Sequence, residues 1–398
     1  AVQGLVGRSS GIPAVIELAS KGSPETQEYA ARTLWHLASS SEIGLAIATA
    51  GGMQPLVSML SAEDVHAQEL SAVVISRIVK SSPAVSTTVA SVGGIVPLVN
   101  LVRKGSHTGQ QQAASALCEV GALVENRDAI ADAGGIQPLV DLLGSVVVGT
   151  QETAARALAN LARDTQFPRD DSGAPPDDPT EEVPDKPGAT RRQMIKTAGG
   201  VKKLIGMLWG APNKMMAKKM HDAVAKVIGL PPLDPNEPPP SPKKGVEEEV
   251  MLGAAEQAGA TLADLAYGDE DLQDAIIDDG AVPPLLRLLK TGTTVAQEYA
   301  SRSLWHLCAH THNQGTIVEA GAISELVALS KTGSPRAQEL AAAVISDLAK
   351  GAIAEREKKQ KEEEERRAAQ QQAKASLTRA ASTPMAVQAG SAPPLPPA

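Results

Sequence analysis

The sequence predicts an all-α solenoid of stacked three-helix units, and three observations lead there. A signature of small residue, glycine and short aliphatic run recurs at intervals of about 41 residues along a chain of 398. The chain is 42% apolar but only 2% aromatic, so its hydrophobic surface is carried by Ala, Val, Leu and Ile. Between the glycines, apolar residues fall at helical rather than alternating spacing. Seven aromatic side chains cannot fill one large globular core, whereas small aliphatic ones suit helices packed closely in layers.

The recurring signature reads SGIPAVIEL, GGMQPLVSML, GGIVPLVNLV, GGIQPLVDLL, GGVKKLIGML, DGAVPPLLRLL and AGAISELVAL. Its reference glycines are Gly11, Gly52, Gly94, Gly135, Gly200, Gly280 and Gly321, with gaps of 41, 42, 41, 65, 80 and 41. The gap of 65 reads as one unit plus 24 inserted residues, and the gap of 80 as two units with one signature missing. Within a unit, a short helix such as NRDAIADAGG ends at the glycines, where a positive φ makes a sharp turn. A second, strongly apolar helix follows. A turn such as KGSPE or GTQE then supplies a Ser or Thr cap, sometimes with Pro at the first helical position. The third helix, as in QETAARALANLA, carries small Ala positions for close packing. Eight such third-helix segments can be counted, the first and sixth in incomplete units. A longer echo is present too: Gln27–Leu37 returns as Gln297–Leu307 and Ala67–Ser76 as Ala337–Ser346, both at an offset of 270.

The unit from Gly134 to Ala162 resembles the armadillo repeat family, and the resemblance covers Ser10 to Lys350 apart from two inserts. It implies a right-handed superhelical solenoid of about eight armadillo repeats, two of them incomplete. The expected organisation is repeats 1–4 over 1–164, an acidic Pro-rich insert over 165–190 and a basic repeat 5 over 191–230. A Pro-rich linker replaces part of repeat 6 over 231–245. A partial repeat 6 with repeats 7 and 8 follows over 246–352, then a charged single helix over 353–375 and a disordered tail over 376–398.

Composition narrows the function classes. A net charge of −9 argues against nucleic acid as a partner. No run reaches the ~18 apolar residues of a membrane span. Cys118 and Cys308 stand far apart within helical patterns, which favours a reducing compartment; the expected location is the cytoplasm, with the nucleus as the alternative. Gly7-Arg8-Ser9-Ser10-Gly11 matches a nucleophile-elbow pattern but lacks the strand that motif requires. His306, Cys308, His310 and His312 fall within seven residues, yet the duplicated segment carries Ser40 and Glu42 where His310 and His312 stand. No enzyme activity, cofactor, metal or small-molecule substrate is expected.

In the family, third helices line a concave groove for extended partner segments. With Asn160 taken as the groove-facing position, the equivalent residues include His36, Arg77, Lys226 and His306, and four residues earlier stand Arg32, Arg156 and Arg302. Tyr29/Arg32/His36 and Tyr299/Arg302/His306 repeat with i, i+3, i+7 spacing on one helix face. Between Arg191 and Lys226 nine basic residues meet one acid, leaving −17 on the remainder; Lys219 and Lys226 fall on the groove side. The candidate partner-binding residues are therefore Tyr29, Arg32, His36, Arg77, Arg156, Asn160, Lys219, Lys226, Tyr299, Arg302 and His306. The expected function is a non-catalytic scaffold that captures an extended acidic segment of a protein partner. The acidic insert at Asp170–Asp185 could itself occupy the basic repeat. A structural component stacking through open solenoid ends is the alternative. The Trp-and-Asn pattern by which importin-α-like adaptors clamp lysine-rich signals is missing, which sets nuclear transport behind these; substrate recognition for a ubiquitin ligase also stands behind them.

Overall fold

The computed structural model describes residues 11–38, 40–163, 187–209 and 246–381. Among them there is no strand, and twenty helices follow one another in triplets. The first level contributes α1 (Gly11–Lys21) and α2 (Pro24–Leu37). The second contains α3 (Ser41–Thr49), α4 (Met53–Met59) and α5 (Val65–Ser81), and the third α6 (Val85–Ser91), α7 (Ile95–Lys104) and α8 (His107–Val120). The fourth contains α9 (Glu125–Asp132), α10 (Ile136–Leu142) and α11 (Val148–Ala162), and the fifth α12 (Pro187–Thr197), α13 (Gly200–Leu208) and α14 (Val246–Ala266). The sixth contains α15 (Glu270–Asp278), α16 (Val282–Thr291) and α17 (Thr294–Ala309). The seventh contains α18 (Thr311–Glu319), α19 (Ala322–Thr332) and α20 (Pro335–Ala381). The chain divides into two units, Ala1–Ile345 with the stack and Ser346–Ala398 with the remainder of α20.

Local chemistry sets each junction. Gly134 has φ 72°, a backbone state that L side chains rarely adopt, and it turns α9 into α10. Gly135, next to it, is a point of close approach: an added Cβ would lie 2.8 Å from the Ile130 carbonyl oxygen. The third helices start on side-chain caps: the hydroxyls of Ser23, Ser106, Thr293 and Ser334 accept backbone N–H groups three residues on. Leu56, Leu98, Leu139, Leu204, Leu285 and Leu326 of the second helices are fully buried and form the spine of the core.

Third helices pack side by side from level to level, and here the structure revises the expected domain order. Helix α14 lies directly against α11 and against α17. The Thr261 hydroxyl donates to the Ala155 carbonyl at 3.0 Å, and Arg163 pairs with Asp264 at 3.0 Å. Val246–Ala266 is thus the third helix of the fifth level, not the remnant of a separate sixth repeat. The physical reason is size: Ala254, Ala255, Ala258 and Ala260 are buried in a helix that packs against the alanine-rich α11. Helix α20 runs unbroken from Pro335 to Ala381 across the position expected to end the repeats at 352/353. Flanking Ala, Lys and Glu residues favour helix strongly enough to carry it through Gly351. The inserts over 164–186 and 210–245 and the tail after Ala381 lie outside the described residues.

Candidate partner-binding face

Among the candidate binding residues, Tyr29, Arg32, His36, Arg77, Arg156, Tyr299 and Arg302 are half-buried or exposed on the third helices. Three of the register positions, 36, 160 and 306, have an arginine four residues earlier. Arg32 pairs with Glu28 and lies 5.8 Å from the Tyr29 ring centre. Arg156 donates its Nε to the Cys118 sulfur at 3.2 Å and stands 3.8 Å from Glu119. Arg302 pairs with Asp264 at 3.0 Å and stacks 5.2 Å from Tyr299. In each ion pair the guanidinium is the outer partner. Side-chain exposure is 45% for Arg32 against 25% for Glu28, 36% for Arg156 against 22% for Glu119, and 28% for Arg302 against 11% for Asp264. Each carboxylate holds an edge of its guanidinium, and the rest of the arginine side chain is partly exposed, although the Arg302 Nε is buried. The Arg156 guanidinium is held above its ordinary pKa, first by the adjacent Cys118 sulfur and further by Glu119 and Glu152, against the opposing effect of burial.

The register positions themselves divide. Arg77 is half-buried and lies 4.7 Å over the Trp35 ring of the preceding third helix, so this tryptophan packs between levels. His36 is exposed, its ring set edgewise 4.6 Å from that of Trp35. Asn160 and His306 are buried, which corrects their assignment as groove-facing ligands. Asn160 donates to the Cys118 carbonyl at 2.9 Å and so joins α11 to α8. His306 is enclosed by Trp305 and by Tyr267 of the preceding level, 5.2 Å away, and its Nδ1 has no hydrogen-bond partner. Burial, aided by the nearby Arg302 charge, lowers its pKa to about 3. The duplicated His36 is exposed instead.

Lys219 and Lys226 lie outside the described residues. The described part of the basic stretch is used within the stack. Arg191 and Arg192 are buried at the carboxyl end of α11, where Arg191 donates to the Leu161 and Arg163 carbonyls and pairs with Asp128. Arg192 donates to the Ala162 carbonyl at 3.1 Å. Lys196 reaches the Asp271 carbonyl, Lys202 pairs with Asp279, and Lys203 pairs with Asp141. These cations satisfy helix ends and neighbouring carboxylates, so the charge count of this stretch overstates what it offers to a partner. His310 is likewise engaged, with its Nδ1 2.7 Å from Asp274.

Two functional contributors were not singled out from the sequence. Asp264 joins Arg163 and Arg302, tying three successive third helices together. The Gln-Glu dipeptide near the start of these helices is a structural device. Gln68, Gln151, Gln297 and Gln338 donate to carbonyls of their own preceding turn. Glu69 and Glu298 accept from the cap hydroxyls Ser106 and Ser334 of the next level, and Glu256, which is not in a Gln-Glu pair, accepts from Thr293 in the same way. The repetition of QE in the sequence was the available signal.

Comparison with known proteins agrees with this architecture. The family model for the armadillo/beta-catenin-like repeat matches residues 3–39, 124–163 and 269–309. Among solved structures, an engineered protein is 26% identical over 85% of this chain and 68% of its own, with a TM-score of 0.66. A second engineered protein is 25% identical over 75% of this chain and 97% of its own, with a TM-score of 0.56. A designed armadillo repeat protein in complex with the peptide (KR)4 is 19% identical over 74% of this chain and 99% of its own, with a TM-score of 0.53. No curated protein matches the chain. Three matched repeats, the glycine-turned helix triplets and the solved neighbours together show that the chain carries armadillo repeats and folds as an armadillo-type solenoid.

Proposed function

We propose that the chain is a non-catalytic protein-binding scaffold that holds an extended, acidic partner segment along its third-helix face. The observation that carries this reading is the order of charge with depth: arginines outermost, their carboxylate partners beneath. A guanidinium fixed by one carboxylate keeps N–H donors available for a second carboxylate or a peptide carbonyl. Arg32, Arg77, Arg156 and Arg302, with the tyrosines at 29 and 299, would supply the grip; Lys219 and Lys226 would extend it. The designed relative that binds (KR)4 supports a peptide as the class of partner, while the exposed guanidinium groups here favour the opposite charge. The two buried cysteines, Cys118 on α8 and Cys308 on α17, fit a cytoplasmic setting, with the nucleus as the alternative.

The reading is tested by fluorescence anisotropy with a labelled Glu/Gly decapeptide and a labelled Lys/Arg decapeptide. The acidic peptide should bind in preference. The double variant Arg156→Ala/Arg302→Ala should weaken it about tenfold or more, from charge-assisted bonds of ~1.5 kcal/mol each. Preference for the basic peptide, or unchanged affinity in the double variant, defeats the assignment.

A further inference from the structure

Two consecutive second helices in the middle of the stack do not end at the same place. Counted from the opening glycines Gly94 and Gly135, Lys104 at the end of α7 corresponds to Ser145, yet α10 stops at Leu142. An irregular stretch, Gly144 to Val146, stands where α10 would have its last turn. Beside it, between the third and fourth levels, lies a cavity of about 320 Å³ that is partly open to solvent. Small-ligand sites begin at about 300 Å³.

The lining residues sort by burial into a floor and a rim. Val102 of α7 and Pro138 and Leu142 of α10 form an apolar floor, and all three are buried. Arg103, His107 and Asp141 form the rim, and all three are exposed. The Asp141 carboxylate is already matched, by Lys203 at 3.1 Å and by the Gln137 amide at 3.2 Å. The Arg103 guanidinium is not. Its Nη2 donates to the Gly134 carbonyl at 3.3 Å, and among the described residues no carboxylate pairs with it. That bond stretches the side chain across the gap between α7 and the turn into α10. The irregular stretch is fixed as well: the Ser145 hydroxyl accepts from the Val147 N–H at 3.2 Å, and the Ser145 carbonyl accepts from the Gln151 amide at 2.7 Å. An unmatched cation thus stands beside apolar surface, on walls that local hydrogen bonds hold in place.

We propose that this cavity binds a small organic acid, a carboxylate on a compact apolar body. The guanidinium of Arg103 takes the carboxylate, its planar N–H donors being suited to both oxygens. Gln110, half-buried in the lining, adds an amide, and the apolar body lies against Val102, Pro138 and Leu142. A cationic ligand is disfavoured, because Lys203 already holds Asp141. The cavity shares no residue with the candidate partner-binding set, so the inference is independent of the peptide-binding reading.

The test is ligand-observed NMR titration of the full chain with phenylacetate and with phenylacetamide, its uncharged counterpart of the same shape. Phenylacetate should bind about tenfold more tightly, the difference a charge-assisted hydrogen bond makes. Arg103→Gln should bring the acid down to the level of the amide. Lys104→Gln, which removes a neighbouring charge outside the lining, should change neither. Val146→Trp fills the cavity and should abolish binding of both; Val146→Phe is a milder filling variant that must weaken both in the same way. Circular dichroism melts check that each variant folds. No saturable binding of phenylacetate, equal affinity for acid and amide, or an equal loss in Arg103→Gln and Lys104→Gln would overturn the proposal. Arg156→Ala/Arg302→Ala should leave phenylacetate binding unchanged, and a loss there would also count against the cavity. Peptide anisotropy on the same samples reads the third-helix face separately, so either idea can fail alone.

Discussion

His306 and His36 show how one residue type in one local sequence acquires two characters. Both lie in a WHL segment, yet Tyr267 covers His306 and leaves its imidazole neutral at about pKa 3, far below the ordinary 6.5. The unfolded chain takes up a proton at this site below pH 6.5 and the folded one does not. Stability from this group is therefore complete above pH 6.5 and declines as pH falls toward 3, by about 1.4 kcal/mol per unit. His306→Leu should flatten that slope relative to the parent in urea melts between pH 6.5 and 4.5; parallel slopes would refute a buried neutral imidazole. Arg127 offers a second residue-scale prediction. It is buried and donates to the carbonyls of Gly121, Ala122 and Arg163 at 3.0–3.2 Å. Arg127→Met should cost about 2 kcal/mol or more by leaving the Gly121 and Ala122 carbonyls without this donor, while the Arg163 carbonyl still accepts from Arg191.

At the scale of the element, the third helices are linked by a relay of caps. The cap hydroxyls of Ser106, Thr293 and Ser334 each accept from their own helix and donate to a glutamate of the level before, as Ser334 does to Glu298 at 2.6 Å. One residue thus fixes both where a helix begins and how it sits on its neighbour. Glu298→Ala should cost about 1 kcal/mol. A double-mutant cycle with Ser334→Ala should return a coupling of ~0.5–1 kcal/mol in chemical denaturation. Additive effects would mean that the two contacts are independent. The same relay explains why the level containing Asp64 differs: an acidic cap cannot donate to Glu28, and His66 stands near that carboxylate instead, at 4.0 Å.

For the whole molecule, the decisive fact is that α14 follows α11 in the stack although 83 residues separate Ala162 from Val246. Stability of stacked units is a sum of neighbour contacts, and the described levels already contact one another through α11, α14 and α17. Deleting residues 212–243 should leave one cooperative thermal transition within a few degrees of the parent. Loss of the transition would mean that the segment is part of the stack. The same deletion measures what Lys219 and Lys226 add to acidic-peptide affinity, because it removes both while keeping the arginine face.

Periodicity was enough to identify the helix triplets, the glycine turns and the third-helix face, because each is dictated within about 41 residues by steric and capping rules. Arg32, Arg156 and Arg302 were legible for the same reason, being at one offset in a repeated helix. Tertiary structure alone decided which residues of that face remain exposed. Asn160 and His306 share the register of His36 and Arg77, but burial depends on what the neighbouring level brings, as Cys118 and Tyr267 do. It also decided which lysines and arginines are available, since Arg191 and Arg192 look like surface charge in a count and serve as buried caps in the fold. Spacing along the chain could not place α14, because a gap of 80 fits two repeats or one repeat with an insertion equally well. Only the packing of its alanines against α11 distinguishes the two.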